Sequence, residues 1–372
     1  MTTAPRRCPR VGVLFGGRSA EHDVSLASAR AVMDNLAGEF DVVPIGITRD
    51  GRWLAGGDPW LALSEGDEGV EAVTLTPDPS AGRALLRLHP HEGESPRITD
   101  IDVIFPVLHG TYGEDGTVQG LLELADVPYV GCGVLASAVG MDKAMLKVVF
   151  RAADLPVLPY VTVMRREWES NPERVVALIE GVLHYPVFVK PANLGSSVGI
   201  SKVKAAADLP AALDLAASYD RKIVVEQGIN ARDIEISVLG NDDVAVSVAG
   251  EVIPSNEWYD YAAKYLDGGS QLIIPAPLAP EVADEIQRLA VAAYRAVDAS
   301  GLSRVDFLMD RDSGKLWLSE INTLPGFTPI SMYAKMWEAS GVSYRELCRR
   351  LVYLALERHA EKSRRRTDRD SL

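Results

Sequence analysis

At 372 residues, 47% hydrophobic and 24% charged, the chain is too long for one compact core and too apolar to be disordered, so two or three packed domains are expected. Its 38 Lys and Arg against 52 Asp and Glu leave a formal charge of −14, a field that repels a phosphate backbone and argues against nucleic acid as a partner. No apolar run approaches the roughly 18 to 20 residues that span a bilayer, and the start lacks the apolar stretch of a signal peptide, so no membrane partner and a soluble, cytoplasmic protein are expected.

Cys8, Cys132 and Cys348 lie far apart without C-x-x-C spacing, which suits a reducing compartment and neither a disulfide framework nor a zinc site. The six histidines show no H-E-x-x-H.

Val11 to Phe15 reads as a short buried strand, Gly16-Gly17 as a turn, and Leu26, Ala29, Val32 or Met33, and Leu36 recur at helical spacing. Val42 to Ile47 and Ile101 to Pro106 repeat the apolar strand pattern between helices. That alternation predicts an open parallel sheet in an α/β domain over residues 1–138. Residues 64–100, rich in Gly, Pro, Asp and Glu, read as a surface excursion with one strand near Ala84 to Leu88. A helix after Met141, marked by Met145, Val148 and Val149, and a long helical segment before the strand Tyr185 to Lys190 make a second, smaller unit over 139–222. The third, 223–357, begins at Ile223 to Glu226 and holds strands through Val238, Val248 and Phe307 with a helix over 280–299. From Arg358 to the end, six basic and three acidic residues without an apolar face read as a solvated tail.

The densest chemistry lies in Ser303 to Asn322. Two alternating halves flank Asp312-Ser-Gly314, which suits a three-residue hairpin loop with Gly314 left-handed. If Arg311 pairs with Lys315, Asp306 faces Glu320 and Arg304 faces Asn322, all on one face. Two carboxylates directly across a ladder repel. Either Arg304 neutralises one of them on a solvated face, or a hard cation sits between them, and Asp, Glu and Asn oxygens suit magnesium. The Pro/Gly segment Asn322 to Ser331 that follows can aim backbone N–H groups at an anion.

Lys190 ends a strand and precedes Pro191-Ala-Asn-Leu-Gly-Ser-Ser-Val-Gly199, a loop that is either a plain turn or a cradle for phosphate oxygens. It lacks the Gly-Lys-Ser/Thr of a Walker A loop. Gly131-Cys-Gly-Val-Leu-Ala136 matches G-x-G-x-x-A but sits late in its domain, so the dinucleotide reading is weak.

Taken in order, Phe15 to Ser25, His109 to Gly120, Met141-Asp-Lys143, Lys190 to Gly199, Tyr259 to Tyr265, Arg304-Val-Asp306 and Glu320 to Gly326 resemble the D-alanine–D-alanine ligases of the ATP-grasp superfamily. The resemblance covers nearly the whole chain. It implies a Rossmann-like N-terminal domain followed by a two-subdomain ATP-grasp α+β fold. It also implies ATP-dependent joining of two D-alanines through an acyl phosphate, for peptidoglycan precursor synthesis. Asp306, Glu320 and Asn322 would hold two magnesium ions, replaceable by manganese, and Arg304 would stabilise the transferring phosphoryl group. Lys143, Lys190 and Ser197 would hold ATP phosphates, Glu226 the adenine amine, and Lys264 the γ-phosphate from a mobile lid over 254–275. The ribose contact falls on Asp233, with Glu235 an equal candidate on the same strand face. Glu21 would accept the first substrate's ammonium, with His109 nearby, or simply cap a helix. Ser196 and Tyr265 would share a hydrogen-bond network with Glu21, Gly326 would donate its N–H to the oxyanion, and Ser331 and Met332 would bind the second carboxylate. A homodimer is the family's usual state; a monovalent cation is a further candidate cofactor. Relatives joining D-alanine to D-lactate or D-serine are the nearest rivals, and a non-catalytic nucleotide sensor is the rival from another class.

Overall fold

The computed structural model describes residues 8–66, 69–195, 198–254 and 270–366. The first sheet contains β1 (Arg10–Gly16), β2 (Asp41–Ile47), β3 (Trp53–Ala55), β4 (Glu71–Leu75), β5 (Ala84–Arg87), β6 (Arg97–Asp100) and β7 (Val103–Val107), in the order β6-β5-β4-β3-β2-β1-β7. β1 is parallel to both β2 and β7. Each pairing from β2 out to β6 is antiparallel. The parallel arrangement read from the sequence therefore holds for three strands, and the excursion over 64–100 contributes β4, β5 and β6 rather than one strand. β4, β5 and β6 follow one another through short links, and antiparallel hairpins need no crossover helix.

The second sheet is β8 (Tyr160–Met164), β9 (Val187–Pro191), β10 (Ser201–Val203) and β11 (Lys222–Gln227), ordered β10-β9-β11-β8. β8 lies where the sequence reads as helical; Val161 and Val163 alternate inward with an exposed Thr162 between them. β11 pairs with β8 and β9, so a division at 222/223 would cut this sheet, and the next one starts at Ala231. That third sheet, β14-β13-β12-β15-β16, joins β12 (Ala231–Gly240), β13 (Ala245–Ile253), β14 (Gln271–Ile273), β15 (Gly301–Asp310) and β16 (Leu316–Asn322), all antiparallel.

Helix Pro280–Ala296 lays Ile286, Leu289, Ala290, Ala293 and Tyr294 on Ile234, Ile236, Val305 and Phe307 of the third sheet. Burial of each large apolar side chain stabilises by roughly 1.5–3 kcal/mol. Helix Tyr344–Lys362 packs Leu347, Leu351 and Val352 into the core of helix His22–Leu36, which ties the last unit to the first. That helix also overturns part of the solvated tail: Arg358 lies within it, donating to the Tyr129 carbonyl at 2.9 Å, to Ser300 at 2.6 Å and to the Gly131 carbonyl.

The helix after Met141 spans Lys143–Ala152, and Asp142 caps it by accepting from the N–H groups of Ala144 and Met145, both at 3.1 Å. Its buried face is Ala144, Leu146, Lys147 and Phe150, whereas Met145 and Val148 are 45% and 51% exposed. Of the three apolar residues that mark the helix, only Val149 packs against the core, and a lysine takes an inner position instead.

Candidate active site

The hairpin β15–β16 carries Arg304 opposite Asn322 and Asp306 opposite Glu320, as the register count predicts. It reaches that pairing by a different route. At the turn, Asp310 rather than Arg311 pairs with Lys315, its N–H reaching the Lys315 carbonyl at 2.9 Å, with Gly314 at φ +72°. A bulge between Asp306 and Phe307 then restores the register at the site. Arg304 donates a fork to Asp306, Nε at 2.7 Å and Nη2 at 2.6 Å, and its Nε lies 3.0 Å from Glu235. Burial opposes the guanidinium charge, yet Asp306, Glu235 and Glu320 raise its pKa well above the ordinary arginine value. Asp306, Glu320 and Asn322 present two carboxylates and an amide oxygen on one face. This all-oxygen set fits a hard divalent cation. The Asn322 side-chain oxygen is fixed by the N–H of Leu324 at 3.0 Å.

Glu21 occupies the N-cap position of helix His22–Leu36 but makes no side-chain cap bond, which removes the helix-capping account of this acid. It is 9% exposed, and its Oε2 approaches Gly110 and Gly195. His109 stands beside it, buried, with Nε2 3.3 Å from Ser28 and Nδ1 3.7 Å from Glu114. Burial alone would lower the His109 pKa, but Glu114 and Glu21 more than offset that and raise it. Burial and the charge of Glu21 raise that of Glu114. Glu114 is a site residue to which the sequence reading gave no role, although it sits inside the quoted His109 to Gly120 stretch.

Ser331 forms the N-cap of helix Met332–Ala339, and its hydroxyl accepts from the Thr328 N–H at 3.0 Å and lies 2.8 Å from the Thr328 hydroxyl. Gly326 lies alongside; a Cβ there would meet the Ser331 hydroxyl at 3.3 Å. A helix N-terminus facing a cleft favours a carboxylate. Glu21, His109, Lys143, Arg304, Glu320, Asn322, Gly326, Ser331 and Met332 all line one cleft of about 710 Å³.

Lys190, Glu226, Asp233 and Asp306 do not line that cleft. Lys190 instead bonds Glu226 at 2.5 Å, and Lys147, which the sequence reading passed over, holds the other carboxylate oxygen. Lys143 donates to the Leu194 carbonyl at 2.7 Å in the glycine loop. Glu235 lies 3.0 Å from Arg304 and lines the cleft, whereas Asp233 helps raise the Lys190 pKa, so the two candidate ribose acids occupy different surroundings. Ser196, Ser197, Lys264 and Tyr265 lie outside the described residues, as does most of the expected lid. Gly131 of the dinucleotide-like stretch packs against Gly301 and Leu302, and the Cys132 thiol donates to the Leu302 carbonyl at 3.3 Å, a contact between units rather than a phosphate cradle. Among the described residues, no helix is long and apolar enough to cross a bilayer.

Residues 10–132 match the pattern described as the D-ala D-ala ligase N-terminus, and residues 149–353 that of the D-ala D-ala ligase C-terminus. The chain belongs to the D-alanine–D-alanine ligase family. A D-alanine–D-alanine ligase of Heliobacterium modesticaldum is 54% identical over 361 residues, covering 96% of this chain and 98% of its own. One from Natranaerobius thermophilus is 51% identical over 362 residues, with the same shares covered. The D-alanine–D-alanine ligase structure from Coxiella burnetii superposes with a TM-score of 0.82 at 35% identity, covering 96% of each chain. The VanG D-Ala:D-Ser ligase from Enterococcus faecalis gives 0.83 at 37%, covering 94% of this chain and all of that one. The family's mixed first sheet and two antiparallel sheets are those described above. Membership carries with it the use of ATP and a divalent metal.

Proposed function

We propose that this chain joins two D-alanine molecules to D-alanyl-D-alanine, with ATP converted to ADP and phosphate, for peptidoglycan precursor synthesis in the cytoplasm. One observation carries the reading: Glu21 and the Ser331 helix N-terminus, an ammonium acceptor and a carboxylate site, face a single cleft that also contains Arg304 and the Glu320–Asn322 oxygens. An amine cannot displace a carboxylate oxygen until that oxygen becomes a leaving group. The first D-alanine, its ammonium held by Glu21 beside His109 and Glu114, therefore attacks the γ-phosphorus with a carboxylate oxygen, and ADP leaves. The neutral amine of the second, its carboxylate at Ser331 and Met332, then attacks the acyl carbon, and phosphate leaves. Arg304 faces both charge-rich states, and the Gly326 N–H serves the oxyanion.

Two divalent ions, magnesium or manganese, held by Asp306, Glu320 and Asn322 would neutralise phosphate charge. Lys143, Lys190, Ser197 and Lys264 take the phosphates, Glu226 the adenine amine and Asp233 the ribose. Asp233 is preferred because Glu235 is engaged by Arg304. Ser196 and Tyr265 keep the network role with Glu21 that the family resemblance gives them. The division into an N-terminal unit, a central unit and a C-terminal unit serves to bring the two D-alanine sites to one cleft with the nucleotide groups beside it; the assembly is a homodimer, and a monovalent cation is a further candidate cofactor. The test is phosphate release from ATP with D-alanine, L-alanine, D-lactate, D-serine or no substrate, with the product identified by mass. Release that D-alanine does not stimulate above the no-substrate rate overturns the reading. Turnover only when D-serine accompanies D-alanine favours the VanG-like specificity.

A further inference from the structure

Helix Lys143–Ala152 buries a lysine one turn beyond Lys143. Lys147 is 2% exposed, and an amine at that depth is tolerated only when its charge is matched. Its Nζ bonds one carboxylate oxygen of Glu226, itself 2% exposed, and Lys190 takes the other at 2.5 Å. Glu226 is fixed from both sides in the sheet, paired with Tyr160 of β8 and Phe188 of β9. Lys147 lies 5.6 Å from the Tyr160 ring centroid and Lys190 5.7 Å from that of Phe188. One carboxylate thus faces two ammonium groups, an excess of one positive charge.

The two lysines are not equivalent. The Lys190 side chain is 15% exposed, stands one residue before the end of β9 and the glycine loop, and feels Glu320 and Asp233 as well as Glu226. The Lys147 side chain is 3% exposed and sealed beneath Glu226. A purine bearing an exocyclic amine needs an acceptor oxygen from Glu226, and both oxygens are engaged. One lysine must yield, and Lys190 is the one that can turn to a phosphate.

We infer that Lys147 is a positioning residue for nucleotide choice: it holds Glu226 ionised and aimed when Lys190 moves to the phosphates, so that Glu226 can accept from an adenine-type amine. The inference rests on the adenine role proposed above for Glu226. Without Lys147, the carboxylate would keep Lys190 for itself, and purine reading and phosphate binding would compete for one lysine. Burial disfavours the Glu226 carboxylate, yet Lys147 and Lys190 together bring its pKa down to about 2, as a permanently ionised acceptor requires. Burial and the neighbouring Lys190 charge lower that of Lys147, with Glu226 opposing them.

The experiment is calorimetric titration of the full chain, with magnesium, by ADP and by GDP, for the wild type, Lys147→Met and Lys147→Arg, alongside the ATP dependence of D-alanine-stimulated phosphate release. The wild type should prefer ADP by at least about tenfold, since a buried acceptor left facing the wrong purine edge costs that much or more. Lys147→Met should weaken ADP about tenfold and GDP no more than about twofold, with kcat at saturating ATP within about threefold and the loss confined to KM. Lys147→Arg should recover most of the ADP preference. Equal changes for ADP and GDP, or a lower melting temperature with unchanged nucleotide binding, would assign Lys147 a structural role only and overturn the inference. If Lys147→Met fails to fold, Lys147→Met with Glu226→Met removes both buried charges, and retention of the ADP preference in that variant would overturn it equally. The titrations need no D-alanine, so failure of ligase turnover with the nucleotide pattern intact would discard the proposed reaction and leave this inference standing.

Discussion

Asp306→Asn and Glu320→Gln each remove one of two carboxylates that face each other across the β15–β16 ladder, and repulsion alone makes the two changes equivalent. Arg304 breaks the symmetry. It forks onto Asp306 at 2.7 and 2.6 Å, whereas Glu320 acts on it only from a distance. An amide at 306 keeps one acceptor oxygen and loses the other, and a hydrogen bond to a charged group is worth about 1.5–3 kcal/mol. Glu235, 3.0 Å from Arg304, still balances the guanidinium, so the loss for Asp306→Asn is set near the lower end, about 2 kcal/mol. Glu320→Gln leaves the fork intact, and the repulsion it relieves at Asp306 offsets the attraction that Arg304, Lys147 and Lys190 lose, so its net effect stays within about 0.5 kcal/mol. For a unit of 150 to 250 residues, about 1 kcal/mol moves the midpoint by about 2–4 °C. Calorimetry in EDTA should therefore show Asp306→Asn melting about 4–8 °C below the wild type and Glu320→Gln within about 2 °C of it. Both should lose magnesium-dependent phosphate release by about a hundredfold or more. Equal destabilisation by the two variants would show that the fork does not support Asp306, and wild-type turnover in either would remove that carboxylate from the metal set.

Glu226, held down to about 2 against an ordinary 4.5, contributes stability that is complete above pH 4.5 and lost as pH falls towards 2. The melting-temperature gap between wild type and Glu226→Gln should accordingly close across that window, and a gap constant from pH 5 to pH 3 would contradict the two-lysine grip. Gly110→Ala places a Cβ 2.8 Å from Glu21 Oε2 at φ +74°; it should cost about 1–2 kcal/mol of stability and raise KM for the first D-alanine about tenfold, read by steady-state kinetics, while KM for ATP stays within about twofold. Ser331→Ala removes the acceptor of the Thr328 N–H at the helix start and should raise KM for the second D-alanine severalfold without moving the first; a shift of the same site by both variants would refute the placement.

The hairpin shows how far sequence carries the structure. Alternation puts Arg304 with Asp306 on one face of its strand and Glu320 with Asn322 on one face of the other, but register decides whether those two faces coincide, and a slip of one residue would have turned Glu320 and Asn322 away. The turn itself was one residue longer than the Asp-Ser-Gly pattern suggests, and a bulge that no local composition announces compensated for it. Lys147 was illegible for a related reason. Helical periodicity counts apolar residues, and a lysine on the inner face reads as outward until its partner, distant in sequence, is known to lie against it. β8 failed in the opposite sense: five residues after a Pro-rich stretch carry too little periodicity to separate a strand from the helices that follow. β11 was recognised as a strand but placed in the wrong sheet, since strand pairing is a property of the fold that a local apolar run does not encode.

The charges around the nucleotide end also bear on how it fills. Among the described residues, Lys143, Lys147, Lys190 and Arg304 stand with Asp233, Glu226, Glu235, Asp306 and Glu320, so acids outnumber bases by one in a chain already at −14. The cations are moreover engaged: Lys190 with Glu226, Arg304 with Asp306 and Glu235, Lys143 with the Leu194 carbonyl. Desolvation of these groups is therefore met on folding, and a phosphate that arrives must exchange one partner for another rather than neutralise a bare charge. Exchange is close to neutral in energy for a single lysine, and the surplus acids oppose a free triphosphate. A divalent ion held by Asp306 and Glu320, as proposed above, would reverse that balance, because the two acids would then anchor phosphate through it rather than repel it. Affinity for nucleotide should therefore rise steeply with magnesium, and most of that dependence should pass through the Asp306–Glu320 pair.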